Sequence, residues 1–160
     1  ENGSIFCHNN PWISIAETVV GRGDNAFDIY KRTCPVYQEE HSDVRRVEPY
    51  VYAQTVAARA SYDEGAARNS WLTGTAAWTF VNISQYILGI KPELDGLMID
   101  PCLPAYMTDY AVVRRYRGAE YRIHVRATGT YSLTVDGAPV VGKIVPTGDG
   151  KTEYHVEVTV

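Results

Sequence analysis

The sequence predicts an α+β chain of two unlike parts, with helices first and an antiparallel β-sheet after them. Three observations carry this reading. Up to about Gly89 apolar residues recur at helical spacing, and past Leu97 they recur at every second position. Asp136-Gly137, set between Leu133-Thr134-Val135 and Pro139-Val140-Val141, is the third, a hairpin signal. The 160 residues suffice for one ordinary domain, or for a small domain plus part of another, and fall short of a large barrel enzyme.

Asn10-Pro11 predicts the start of the first helix, with Asn as N-cap and Pro at the first helical position. Trp12, Ile15, Ala16, Val19 and Val20 then fall on one face, and Gly21-Arg22-Gly23 ends the run. Asp24 caps a second helix whose apolar stripe is Ala26, Phe27 and Tyr30, until Pro35 stops it. A long loop over 33–48 follows, of a length that is usually functional or disordered. A third helix is predicted from near Pro49, carrying Val51, Tyr52, Val56 and Ala57 inward. The fourth runs from about Thr75 to Leu88 with Gly89 just past its end. Ala76, Ala77, Phe80, Val81, Ile83, Ser84 and Ile87 leave it few polar positions, which predicts burial on most sides. Paired helices with long intervening loops fit a segment of a helical barrel whose loops build a site at one end. An independent four-helix bundle fits the same periodicity. Strands are predicted over 110–116, 120–126, 131–135, 140–145 and 153–160, as half of a sandwich.

Composition excludes several classes of function. With 45% apolar and 21% charged residues and no low-complexity tract, the whole chain is expected to pack as a soluble globular protein. Net charge is a mild −4 and the basic residues are scattered, which argues against nucleic acid or an anionic membrane as partner. Arg45-Arg46 and Arg114-Arg115 read as solvated faces. No apolar run approaches the roughly 18 residues of a membrane span, and no secretory signal opens the chain. The start at Glu1-Asn2-Gly3, with no initiator Met, reads as a chain already in progress. Cys7, Cys34 and Cys102 are odd in number and widely spaced, so buried free thiols in a reducing, cytoplasmic compartment are expected in place of disulfides or a metal cluster.

Thr73-Gly74-Thr75, directly ahead of the fourth helix, outlines an anion site. Helix starts expose unpaired N–H groups, Gly lets a ligand approach the backbone, and Thr hydroxyls add donors. The plainer reading is a Thr cap beside a Gly turn. His8, ahead of the first helix, can donate to a phosphate oxygen or serve as an ordinary loop histidine. Glu1, Glu48 and Gln54 can read sugar hydroxyls, and the Trp and Tyr density suits stacking on a pyranose, although aromatics at helical spacing equally build a core. Glu17 reads as facing a neighbouring helix. No Ser/His/Asp set, Walker loop, HExxH or CxxC pattern is present, which argues against nucleotide, zinc-protease and thiol-redox chemistry.

Five blocks in order, Glu1 to His8, Gly21 to Asp24, Arg46 to Gln54, Asn69 to Trp78 and Asp95 to Pro104, resemble the end of glycoside hydrolase family 94. The resemblance implies an N-terminal β-sandwich, an (α/α)6 barrel and a jelly-roll-like C-terminal cap, with residues 1–95 as the last barrel helices and 96–160 as the cap. It implies hexosyl transfer to phosphate. A β-linked disaccharide, cellobiose first and N,N′-diacetylchitobiose second, is cleaved with inversion to an α-sugar 1-phosphate and a free sugar. Cellodextrins, and the phosphorylase-like part of cyclic glucan synthases, fit the same resemblance. A carboxylic acid protonates the glycosidic oxygen while phosphate attacks the opposite face, so phosphate, as co-substrate, replaces the base-activated water of an inverting hydrolase. What the site must supply is donors that hold phosphate in line.

Carried over by position, His8, Thr73 and Gly74 match the family's phosphate-binding residues, and Glu1 and Gln54 match positions that contact sugar. No metal or organic cofactor is implied; the partners are disaccharide and inorganic phosphate, with a homodimer of the full-length protein. The catalytic Asp and a phosphate-binding Arg of the family have no counterpart here, since Asp24, Asp43, Asp95 and Asp100 lie in other motifs. The 160 residues alone are therefore expected to be inactive. Two other readings stand beside this one. The first is a non-catalytic carbohydrate-binding β-domain with a helical neck. The second is a plain hydrolase, for which Glu48 is the base candidate.

Overall fold

The computed structural model describes residues 3–160, and the chain divides into two compact units, one ending at Ile83 and one running from Ser84 to Val160. In chain order the first unit holds β1 (Ser4–Phe6), α1 (Asn9–Val19), α2 (Gly23–Thr33), a 3₁₀ stretch Pro35–His41, α3 (Ser42–Arg45), β2 (Thr55–Ala57), β3 (Ala67–Arg68) and α4 (Thr75–Val81). β1, β2 and β3 form an antiparallel sheet in that order, with Ser4 opposite Ala57 and Thr55 opposite Arg68.

The helices of this unit meet through small and polar groups. α1 begins at Asn9, after His8, with no side-chain cap bond, so Asn10 is not its cap and Pro11 sits in the first turn. Its buried residues are Pro11 and Ser14, while the predicted inward face is open, with Trp12 48% and Val19 74% exposed. The physical reason is a polar knot. The Ser14 hydroxyl donates to the Ala26 carbonyl at 2.8 Å and accepts from Asn82 Nδ2 at 2.8 Å. Ser14 and Ala26 are both fully buried, and side chains this small let α1 and α2 approach closely. Asp24 lies inside the first turn of α2, with Arg22 as the capping position, and Ala26 and Phe27 form the predicted buried stripe.

α4 also departs from its predicted pattern. Its buried residues are Thr75 and Thr79, followed by Asn82 in the π-helical turn Asn82–Ile87 that continues it, whereas Phe80 is 60% exposed. No helix starts at Pro49. Residues 51–57 are extended and end in β2, burying Val51, Ala53 and Ala57. Val51, Thr55 and Val56 are β-branched and pack better on a pleated surface than in a helix, and β1 and β3 offer edges for pairing. The segment read as a long loop over 33–48 carries the 3₁₀ stretch and α3, started by Pro35 at the first helical position.

The second unit holds β4 (Ile90–Pro92), β5 (Gly96–Ile99), β6 (Asp109–Tyr116), β7 (Ala119–Arg126), β8 (Ser132–Val135), β9 (Ala138–Pro139), β10 (Ile144–Pro146) and β11 (Glu153–Thr159). A three-stranded sheet runs β10-β5-β4 and a five-stranded one β6-β7-β11-β8-β9. The larger sheet is mixed where an antiparallel one was predicted, because β11 pairs parallel to β7, Val156 opposite Ile123. Ile90, Leu97, Ile99 and Val145 of the smaller sheet join Tyr121, Ile123, Val125, Leu133, Tyr154, Val156 and Val158 of the larger in one core. β7 alternates buried and exposed along its length, as a strand with one face inward must. Asp136 (φ 50°) and Gly137 (φ 80°) form the predicted turn, both in the left-handed region that a two-residue hairpin needs. The strand predicted over 140–145 is interrupted: Val141 is fully exposed, Gly142 takes φ 90°, and β10 begins at Ile144 to pair with β5. No helix among the described residues is long and apolar enough to cross a membrane.

Candidate functional site

β1 hands the chain directly to α1, and the residues at that junction are Cys7 and His8. The Cys7 N–H donates to the Gln54 carbonyl at 2.8 Å, which ties the junction to the extended segment leading into β2. The Gln54 N–H in turn donates to the Arg68 carbonyl at 3.1 Å, at the end of β3. Three stretches far apart in sequence are thus bound together at Gln54, and past β3 the chain leads through Asn69 and Trp71 to Thr73-Gly74 at the start of α4.

The Gly74 N–H donates to Nε2 of His8 at 2.7 Å. Because Nε2 accepts, a neutral ring carries its proton on Nδ1, which is buried and has no hydrogen-bond partner among the described residues. The ring is stacked on Phe6, with centroids 4.6 Å apart and planes 16° from parallel. A side chain at position 74 would run into the imidazole, since an added Cβ would stand 2.7 Å from Nε2. Gly74 therefore leaves room for the imidazole in this position, its φ of −74° being open to any residue.

Thr73 is engaged on both sides. Its hydroxyl accepts from the Thr75 N–H at 3.1 Å and lies 2.7 Å from the Thr75 hydroxyl, which donates to the Ala53 carbonyl at 3.2 Å. The capping position of α4 is Gly74, with no side-chain cap bond, so the Thr cap of the plainer reading is replaced by the bond from the Thr75 N–H to the Thr73 hydroxyl. This bond coexists with the contact between His8 and Gly74.

Beside Phe6 opens a cavity of about 460 Å³ lined by Ser4, Phe6, Gln54, Thr55, Arg68 and Asn69. Gln54 contributes its amide, whose Oε1 accepts from Asn69 Nδ2 at 2.7 Å. Arg68 is paired with Asp63 at 2.5 Å, and that carboxyl is held below the usual range by the Ser61 hydroxyl and by Arg68. Glu1 lies outside the described residues. Glu48 accepts from the Trp71 indole N–H at 3.0 Å, and this bond holds its carboxyl below the ordinary value, which makes it a weak base. Asn69 and Phe6 are the residues that sequence reasoning passed over. The signal for Asn69 was its place between Arg68 and the Thr73-Gly74 block.

A second cavity of about 470 Å³ has Cys7, Arg45, Tyr52 and Thr75 among its lining residues. Burial pushes the Cys7 thiol up, away from a reactive thiolate. Cys7, Cys34 and Cys102 are all free, and where buried thiols were expected they are half-buried.

Comparison with known proteins identifies the kind of chain that carries this arrangement. Residues 1–89 match the catalytic domain of the Glycosyl hydrolase 94 superfamily. The chain is 40% identical to an N,N′-diacetylchitobiose phosphorylase of Vibrio proteolyticus over 99% of its own length and 20% of that protein's. It is 36% identical to a solabiose phosphorylase of Paenibacillus borealis, covering 99% of this chain and 21% of the relative. A cyclic beta-(1,2)-glucan synthase of Rhizobium meliloti is 32% identical over 78% of this chain and 4% of the relative. The chain spans about a fifth of the length of the two phosphorylases. With His8, Gln54 and Thr73-Gly74 all inside the matched stretch, the chain belongs to the glycosyl hydrolase 94 superfamily.

Proposed function

We propose that this chain is part of an inverting disaccharide phosphorylase and that His8, Thr73 and Gly74 belong to its phosphate site. The contact between the Gly74 N–H and His8 carries the reading. In the free site Nε2 takes the place of an anion's oxygen. For phosphate to claim that N–H, the imidazole must release it and present a protonated nitrogen, so that two donors converge on one oxygen. The buried Nδ1, without a partner among the described residues, fits a ring whose hydrogen bonding a ligand could complete.

The activity itself is argued from the relatives, whose names describe phosphorylases of several disaccharides. We place N,N′-diacetylchitobiose first and cellobiose second, reversing the order that resemblance alone supports, because two relatives at 40% identity are chitobiose phosphorylases. A solabiose phosphorylase at 36% over the same stretch supports the reading that this region holds what the phosphorolysis of different disaccharides has in common. In this reading residues 1–95 complete an (α/α)6 barrel, residues 96–160 form a jelly-roll-like cap, and the catalytic Asp lies upstream, so the 160 residues alone are inactive. Free thiols and the use of inorganic phosphate support a cytoplasmic location.

The test is sugar 1-phosphate release by the full-length protein from diacetylchitobiose and from cellobiose, with and without inorganic phosphate, repeated after His8→Ala and Thr73→Ala. Phosphate-dependent release that collapses in both variants is expected. Free sugars released regardless of phosphate would make the protein a hydrolase instead. A binding module would release nothing from any disaccharide.

A further inference from the structure

Gln54 holds an ambiguous tool. Its amide has an acceptor end and a donor end, and a sugar hydroxyl can answer either, so the orientation of the amide decides what is read. The backbone of Gln54 leaves no doubt about position. Its carbonyl accepts from Cys7, next to His8, and its N–H donates to Arg68, next to Asn69. Only the side-chain torsions remain to be fixed, and one contact fixes them: Asn69 Nδ2 donates to Gln54 Oε1 at 2.7 Å.

Asn69 is itself held in an unusual conformation. Its φ is 53°, in the left-handed region that Asn tolerates better than most residues, and Trp71 two positions on takes φ 69°. Two such residues in one short bend cost conformational energy that surrounding contacts must offset. Here the contacts are Asn69 to Gln54 and Trp71 to Glu48, one side chain anchoring each strained position. The bend leads straight into Thr73-Gly74, and Gln54 and Asn69 both line the cavity beside Phe6.

Resting on the phosphorylase reading above, we propose that Asn69 is a positioning residue that turns the Gln54 amide so that Oε1 faces the protein and Nε2–H faces the sugar. The hydroxyl at Gln54 is then read as an acceptor, through its lone pairs. A carboxylate at position 69 can only accept, so Asn69→Asp forces Gln54 to turn its NH₂ inward and offer Oε1 to the sugar.

The experiment uses the full-length protein with a set of monodeoxy and monodeoxyfluoro disaccharides, since fluorine can accept but never donate. Gln54→Ala identifies the hydroxyl concerned as the one whose removal no longer carries a penalty. In the unsubstituted protein the fluoro analogue at that position outperforms the deoxy analogue. Asn69→Gly, which keeps the left-handed backbone open, shrinks the deoxy penalty there by about tenfold in kcat/KM, the size of one hydrogen bond. Asn69→Asp erases the advantage of fluorine over hydrogen. Phosphate KM stays near its original value in both, whereas general damage to the bend would shift Thr73-Gly74 and raise it. A deoxy penalty and fluoro preference unchanged in both Asn69 variants would overturn the proposal. If the unsubstituted protein shows no phosphate-dependent turnover, the functional reading fails separately. The orientation is then read by neutron diffraction: deuterium on Asn69 between the two side chains supports the inference, and deuterium on Gln54 there refutes it.

Discussion

The Gly74 amide and the His8 ring, 66 positions apart in the chain, are joined by a hydrogen bond of 2.7 Å. Neither residue is held there by the other alone. β1 pairs with β2 and sets Cys7 against Gln54, while the Thr75 hydroxyl ties the start of α4 to Ala53, one residue before Gln54. The site is therefore a consequence of one extended segment, 51–57, pinned on both sides.

Gly74→Ala tests this contact. The new methyl would meet Nε2 at 2.7 Å and Cδ2 at 3.0 Å, and the ring must move to admit it. The backbone at φ −74° accepts Ala without strain, so stability should change little. In the full-length protein the expected outcome is a rise of about ten- to a hundredfold in phosphate KM, the loss of one or two charge-assisted hydrogen bonds. Steady-state kinetics at varied phosphate, with the melting temperature as control, checks it.

The polar knot between the helices makes a second prediction. Asn82 is 1% exposed, and Asn82→Ala removes its amide from the Ser14 hydroxyl and leaves a cavity. A loss of about 2–3 kcal/mol is expected. Ser14→Ala together with Asn82→Ala should cost less than the sum of the two, with a coupling of about 1 kcal/mol, because the partners are then removed together. Urea unfolding of the two single variants and the double variant measures it; strict additivity would show that the two side chains act independently.

How much of this could be read from residues depends on whether the determining contact is local. The Asp136-Gly137 hairpin was legible because a two-residue turn is specified by the residues in it. The parallel pairing of β11 with β7 was not, since the residues linking them do not record which edge the last strand will take. Helical spacing found α1 and α4 but misjudged their inner faces. Trp12 and Phe80 dominate an apolar count, yet small and polar Ser14, Thr75 and Asn82 make the close contacts. For 51–57 the apolar positions suit either period, and the pairing edges of β1 and β3 decided for a strand. The candidate residues His8 and Thr73-Gly74 stand out in the sequence through motif blocks, whereas their contact with each other does not. Asn69 does not stand out, because its role appears only once β3 brings it to Gln54.

Acid should weaken the second unit in a way that has named sources. The Asp136 carboxyl is held below its ordinary value by the His155 backbone N–H and then by Lys151, and Asp149 by the Tyr154 hydroxyl and then the Lys151 N–H. Groups with depressed values in the folded state contribute stability that is complete above the ordinary carboxylate range and is lost as pH falls through the folded-state values. The melting temperature is thus expected to hold near neutrality and to fall below about pH 4. Asp136→Asn should lower it at pH 7 and flatten the acid slope. Calorimetry across that range checks both signs.

Glu48 decides between phosphorolysis and hydrolysis. An inverting hydrolase needs a carboxylate that takes a proton from water, and a general base of this kind is worth about 10²- to 10⁴-fold in rate. The Trp71 indole N–H, donating to Oε1 at 3.0 Å, stabilises the charged form of Glu48 and lowers its affinity for a proton, the opposite of what a base requires. Its visible work is to hold Trp71, whose φ of 69° needs an anchor and whose ring stands edge-on to Tyr50 with centroids 6.1 Å apart. Glu48→Gln keeps an oxygen that can accept from the indole. It should therefore leave turnover of the full-length protein within about threefold, whereas a base would lose at least about a hundredfold. Trp71→Phe, which removes the donor, should cost more than Glu48→Gln by loosening the bend that carries Asn69 and Thr73-Gly74. Measuring both variants on one disaccharide, with and without phosphate, separates a tether from a base, because only a base would make the larger loss fall on Glu48.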